Sequence, residues 1–196
     1  MLPGAPDLNQ HIAHRVRDLR GARRLSLEAL ASASGVSRSM ISLIERGESS
    51  PTAVVLDKLA SALGVTLASV FDPADRTDPD RAPIARHADQ PIWQDPGSGY
   101  IRRAVSPPGQ PAQIVEVQFP PGGRVAFETA GGATPPHQQV WIVEGRMAIT
   151  IGTDQHLLRQ GDCLAMRLDG PTMFHNPTKQ PARYVVVVVA GPREVR

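Results

Sequence analysis

Residues 26–52 read SLEALASASGVSRSMISLIERGESSPT. Ser26 stands ahead of an apolar stretch and can accept backbone N–H bonds as a helix cap, and Glu28 sits at the positive end of that helix's dipole. Leu27, Leu30 and Ala31 supply an inward face. Gly35 permits the left-handed backbone of a tight corner, where a Cβ would clash. Ser37 caps a second helix and Gly47 ends it. Ile41 and Ile44, three apart, turn one side of that helix to a core. Arg38, Ser39, Ser42 and Leu43 fall on the opposite side, with Arg46 beside them. A short helix whose outer face is small, polar and basic fits a DNA major groove.

Further helices flank this pair. Leu8, Ile12, Val16 and Leu19 have helical spacing and precede it. Pro51-Thr52 opens a fourth helix with Val55, Leu56, Leu59 and Leu63 on its apolar side, and Gly64 ends it. Residues 66–71 form a short fifth helix. Five helices over residues 8–72 bury one small core. Residues 1–7, with two prolines and a glycine, are expected to lack fixed structure. Residues 73–91 are charged and proline-rich, which predicts a semi-extended linker with a solvated His87. Nothing in that linker prevents the flanking units from reorienting unless an interface holds them.

From Ile92 the pattern turns to short strands separated by Gly, Pro and Asp turns. Strands are expected at 100–105, 113–119, 124–128, 138–143, 146–151, 156–158, 163–166, 172–175 and 183–190. Such spacing reads as an all-β sandwich or barrel over 92–193. Residues 184–189 lack alternation, so both faces of that strand are expected to be covered.

Two family resemblances follow from these residues. Leu30-Ala31, Gly35-Val36-Ser37, Ser42, Glu45, Gly47 and Ser50-Pro51-Thr52 together resemble the Cro/repressor-type (Xre) helix-turn-helix. That resemblance implies a five-helix repressor-like bundle that binds a double-stranded DNA operator. It makes the second helix of the motif the recognition helix. It assigns base reading to Arg38, Ser39 and Leu43, with Ser42 and the cap Ser37 close by, and phosphate contacts to Ser26 and Arg46. It also implies a structural tie between Arg20 and Glu45. Leu43 is open to two readings, contact with a thymine methyl or membership of the core.

The second resemblance lies in the strands. Val140-Trp-Ile-Val-Glu-Gly-Arg-Met-Ala-Ile-Thr-Ile-Gly152, then Leu158 to Gly161-Asp162, Phe174-His-Asn-Pro177 and Pro181-Ala-Arg-Tyr184, are similar to a cupin, a small β-barrel. A regulatory helix-turn-helix joined to a C-terminal cupin implies a barrel that senses a small-molecule effector, dimerises, or does both. Metal-binding cupins carry HxHxxxE ahead of this run and a further histidine before the Asn-Pro. The matching positions here hold Gly132, Thr134, Gln138 and Thr172, a poor set for a divalent cation. No cofactor and no metal are therefore expected. His137 and His175 lie near the motif but displaced from it.

Without a metal the sequence offers no catalytic group: no Ser/His/Asp elbow and no phosphate-binding glycine loop are present. The expected barrel is a binding pocket with Phe127, His137, Gln139, Trp141, Met166, Phe174 and His175 as candidate lining. His137, Gln139 and Trp141 share one face of their strand. The alternative is a metal-dependent cupin enzyme with a DNA-binding appendage.

Composition sets the remaining bounds. Of 196 residues, 41% are apolar and 20% charged, ordinary for a globular protein. No apolar run reaches the roughly 18 residues of a membrane helix, and no secretory signal opens the chain, so a cytoplasmic protein is expected. The single cysteine, Cys163, adjoins Leu164 and is expected to be a buried, inert thiol. The net charge of +2 says little, but five arginines between Arg15 and Arg24 face one acid, Asp18. That cluster can follow a DNA backbone or form a solvated face. A homodimer is expected, its recognition helices about 34 Å apart.

Overall fold

The computed structural model describes residues 8–71, 83–128 and 135–189. Residues 1–7 and 72–82, where no fixed structure and most of the linker are expected, lie outside it. Five helices come first: α1 (Leu8–Ala22), α2 (Leu27–Ser34), α3 (Arg38–Glu45), α4 (Ala53–Ala62) and α5 (Leu67–Val70). Four of them begin on the same device. Ser26, Ser37, Thr52 and Thr66 each accept, through the side-chain oxygen, the backbone N–H three residues ahead. Gly35, at φ +67°, closes α2 and makes the corner. Ile12, Val16, Leu30, Ile41, Ile44, Leu56, Leu59 and Leu63 are almost wholly buried and form the bundle core.

Ten strands follow: β1 (Ile92–Gln94), β2 (Ile101–Ala104), β3 (Ala112–Phe119), β4 (Arg124–Phe127), β5 (His137–Glu144), β6 (Arg146–Ile151), β7 (Asp154–Arg159), β8 (Cys163–Arg167), β9 (Thr172–His175) and β10 (Ala182–Val189). All nine expected strands are present, two with the expected ends and the others with ends shifted by one or two residues. The three-residue β1 is additional, too short to carry a period of its own. The strands make two antiparallel sheets, ordered β1-β2-β3-β10-β5-β8 and β4-β9-β6-β7. Their inner faces pack together, with the Phe174 ring stacked on Tyr184 at 6.0 Å between centroids. The β5–β6 turn needs glycine: Gly145 has φ +79°, and a Cβ there would lie 2.9 Å from the Pro181 carbonyl oxygen.

The helical unit and the barrel are not independent. Asp95, buried at the end of β1, accepts the Ala53 N–H at 2.8 Å with one carboxylate oxygen and binds Ser98 with the other. A barrel side chain thus satisfies one of the orphan donors at the start of α4. Phe71, just after α5, meets Trp93 edge-on at 5.3 Å, and the Arg102 guanidinium lies 3.8 Å from the centre of the Phe71 ring. Lys58 of α4 pairs with Glu128, next after β4, at 3.4 Å. These contacts supply the interface that the sequence leaves open. The described end of the linker is held too: residues 87–89 form a 3-10 turn, and Arg103 donates to the His87 carbonyl at 3.2 Å.

Two expectations fail here. Cys163 is exposed, not buried. It opens the edge strand β8 in register with Trp141, and only its neighbours Leu164 and Met166 turn inward. The β10 run is central, between β3 and β5, yet its outer face is uncovered: Val185 and Val187 are half-buried and Val189 is 42% exposed.

Candidate nucleic-acid interface and barrel interior

The turn between α2 and α3 sets the outer face of α3 into solvent. Ile41, Ile44 and Glu45 are buried, which fixes the helix's rotation. Arg38 and Ser39 are exposed at the N-terminal end, followed by half-buried Ser42 and Leu43 and then exposed Arg46. Those five residues line one shallow, open hollow. Leu43 therefore belongs to the outer surface and is not part of the bundle core. The barrel does not cover this face, since it docks on α4 and Phe71.

Two arginines of the face already have partners. Arg38 lies 3.7 Å from Glu28, both exposed. Arg46 forms a two-pronged pair with Glu48 at 2.8 and 2.9 Å and also donates to the Ser42 hydroxyl. The Glu48 carboxylate raises the Arg46 pKa, and Arg46 lowers that of Glu48. Ser37 caps α3 through Met40 N–H and bonds Ser39 Oγ at 3.2 Å, so it anchors the end from which Arg38 projects. Ser26 is exposed and caps α2 through Ala29 N–H.

Behind the face, Arg20 grips Glu45 with two hydrogen bonds of 2.7 Å and donates to the Leu25 carbonyl at 2.8 Å. The tie implied by the resemblance is present. The rest of the basic cluster is turned to similar use. Arg15 donates to Ser69 O, Arg17 to Glu45 O and Arg23 to Leu19 O. These bonds tie α1 to α3, to α5 and to itself, while Arg17, Arg23 and Arg24 stay exposed, as the solvated-face reading has it.

In the barrel, strand parity divides the candidate lining. Phe127, Met166 and Phe174 turn inward. His137, Gln139 and Trp141 share a face as expected, but it is the outer one; Trp141 is 50% exposed. Gln138, Val140 and Ile142 take the inner positions of β5. His175 alternates with Phe174 and lies on the outer side of its sheet, opposite Ala148 and Arg124. Four of the seven candidates are therefore outside the barrel.

Buried inward polar residues missing from that set include Gln138, Thr172 and Tyr184. Burial lifts the Tyr184 hydroxyl well above its ordinary pKa and keeps it protonated. Gln138 and Thr172 hold two of the four positions that the cupin resemblance gives to metal ligands, and the other two, Gly132 and Thr134, lie outside the described residues. An amide and a hydroxyl do not fit a divalent cation. Among the described residues no group of three His, Cys, Asp or Glu side chains converges as a metal site. Among them also, no helix is long and apolar enough to cross a membrane.

Known proteins resemble both units. A helix-turn-helix family model matches residues 16–70. The uncharacterized HTH-type transcriptional regulator y4dJ of Sinorhizobium fredii is 34% identical over 71 residues, which are 36% of this chain and 92% of that protein. The HTH-type transcriptional regulator SutR of Escherichia coli is 25% identical over 191 residues, covering 91% of this chain and 94% of that one. The crystal structure of an HTH_3 family transcriptional regulator from Vibrio cholerae matches with a TM-score of 0.72 and 27% identity over 95% of this chain and 98% of its own. The last two likenesses extend over helices and barrel together.

Proposed function

The chain belongs to the helix-turn-helix transcriptional regulators, and on that premise we propose that α3 reads a double-stranded DNA operator while the barrel dimerises the protein and binds a small-molecule effector. The helical unit (8–72) and the barrel (92–193) divide these tasks across the linker. The observation that carries the reading is the free outer face of α3, held at a fixed rotation by buried Ile41, Ile44 and Glu45. Arg38, Ser39 and Leu43 meet base edges, with Ser42 beside them, and Ser26 and Arg46 meet phosphates. Arg46 leaves Glu48 to do so, an exchange between exposed partners that costs little. Such a regulator acts in the cytoplasm, and no catalytic step is assigned to its barrel.

The test starts by enriching random duplexes on the purified protein. Arg38→Ala is then expected to weaken the enriched operator by about 1–3 kcal/mol in an anisotropy titration and to relax preference at one base pair. Equal affinity for that operator would remove Arg38 from base reading.

The dimer uses the outer face of the six-stranded sheet. Ile114, Trp141 and Val189, three of the exposed large apolar residues, lie there with Val185 and Val187 between them. A central strand with five successive valines and one bare face supports a covered surface. The occupant is a second copy, because the rim carries both signs, with Arg183 bridging Glu116 and Glu144 and Arg167 beside Asp169. A rim of mixed sign can face its own image without net repulsion. Trp141→Glu is expected to give a monomer by light scattering, with the helical content intact. A dimer unchanged in mass would move the contact elsewhere.

A further inference from the structure

We infer that the barrel takes an uncharged small molecule, hydrogen-bonded by the Gln138 amide and the Thr172 hydroxyl and packed against Phe127, Phe174 and Met166. The inference rests on the reading of the barrel as an effector site and names the chemistry of what enters it. Only residues 168–171 separate the end of β8 at Arg167 from the start of β9 at Thr172, so Met166 and Thr172 stand at one end of the barrel. Thr172 pairs with Phe127, and Gln138 pairs with Met166, which brings both polar side chains to that end from opposite sheets. Gln138 is 8% exposed and Thr172 3%.

Neither side chain has a hydrogen-bond partner among the described residues. Their polar ends are not among the sealed, unpaired atoms, so each keeps access to solvent at that end. A buried amide without a partner is costly, and a site that leaves two polar groups unmet is built for something else to meet them. The amide both donates and accepts, and the hydroxyl does the same.

Charge decides the class. The buried inward residues of β4, β5, β6, β8, β9 and β10 include no ionised side chain, and the buried charge on β2, Arg102, is turned to the Phe71 ring. On the edge strand β7 the inward register positions hold Asp154, which is exposed, and His156, which is half-buried. An ion drawn into such a lining would lose its hydration without gaining a counter-charge, whereas an amide, alcohol or ketone exchanges water hydrogen bonds for those of Gln138 and Thr172. The aromatic and thioether groups suit an apolar body.

Matched compounds test this on the full-length protein. Isobutyramide is compared with isobutyrate, benzamide with benzoate, and benzyl alcohol with benzylamine, alongside zinc and manganese ions. At about 10 mM the neutral members are expected to raise the unfolding midpoint by about 1–3 °C, and the charged members and metals to leave it unchanged. The double variant Gln138→Leu/Thr172→Val should lose that response.

A rise with a carboxylate, an amine or a metal alone overturns the inference. So does an absent response to every neutral compound, or a double variant that still responds. Titrating operator DNA with the same compounds separates the underlying reading. Neutral binding that leaves operator affinity untouched removes the sensor role but keeps the ligand class. Operator affinity that responds only to a charged compound keeps the sensor and removes the class.

Discussion

Replacing Arg20 by alanine is expected to destabilise the helical unit by about 3–5 kcal/mol, measured by chemical denaturation of the full chain. Glu45 is only 6% exposed, and its carboxylate receives both Arg20 hydrogen bonds at 2.7 Å. Removing the guanidinium leaves that charge buried, and the cost of the stranded partner exceeds the modest net worth of the intact pair. Glu45 also closes α3, and its carbonyl accepts from Arg17 at 2.6 Å. Loss of Arg20 should therefore loosen the end of α3, and on the proposed function it should weaken operator binding although Arg20 lies behind the exposed face. The double variant Arg20→Leu/Glu45→Leu should recover most of the stability, because two apolar side chains replace a pair whose desolvation is expensive. If Arg20→Ala cost less than about 1 kcal/mol, the pair would be no more than a surface ion pair.

Why the helical half is legible and the barrel half less so comes down to the range of the forces. The helix caps act over three residues, from Ser26 to Ala29 and from Ser37 to Met40, and the apolar period of α3 fixes its rotation through Ile41 and Ile44. Such signals lie within one turn of chain. In a strand, alternation tells which side chains share a face but not which face is inside. His137, Gln139 and Trp141 form one set on β5 and Gln138, Val140 and Ile142 the other. Pairing with β8 and β10 decides between them, and it turns the tryptophan outward. His175 and Cys163 are misjudged for the same reason, each one residue out of phase with an inward neighbour.

The contacts that join the two halves have no local signal at all. Asp95 caps a helix that starts 42 residues earlier in the chain. The arginines of α1 look like a free basic face because their acceptors, Ser69 O and Glu45 O, lie 54 and 28 residues away. Metal-position alignment, in contrast, survives folding: Gln138 and Thr172 do turn inward as the cupin pattern implies. It identifies the inner residues better than side-chain type does.

The junction of α4 with the barrel should be pH-sensitive through Asp57. Burial first, and the nearby Glu128 charge second, lift its carboxyl from 3.8 to about 6. Its Oδ2 is sealed and without a hydrogen-bond partner among the described residues. Between pH about 4 and 6 the folded chain holds a proton that the unfolded chain has released, so stability falls as pH rises through that window. At pH 7 the full penalty applies, on the order of 2–3 kcal/mol for a shift of this size. Asp57→Asn removes the charge and keeps the shape. It is expected to match wild type near pH 4, to exceed it by about 2 kcal/mol at pH 7, and to flatten the profile between. Equal pH profiles for the two proteins would show that Asp57 ionises without penalty. Glu128→Gln should move the wild-type window to lower pH by a smaller amount, because it removes only the second cause. Glu128 follows Phe127 at the barrel end where Gln138 and Thr172 stand, and it pairs with Lys58 of α4. A molecule bound at that end and shifting Glu128 would therefore change both the Lys58 contact and the proton on Asp57. On the proposed function, such a change would reach the helix that packs against α2.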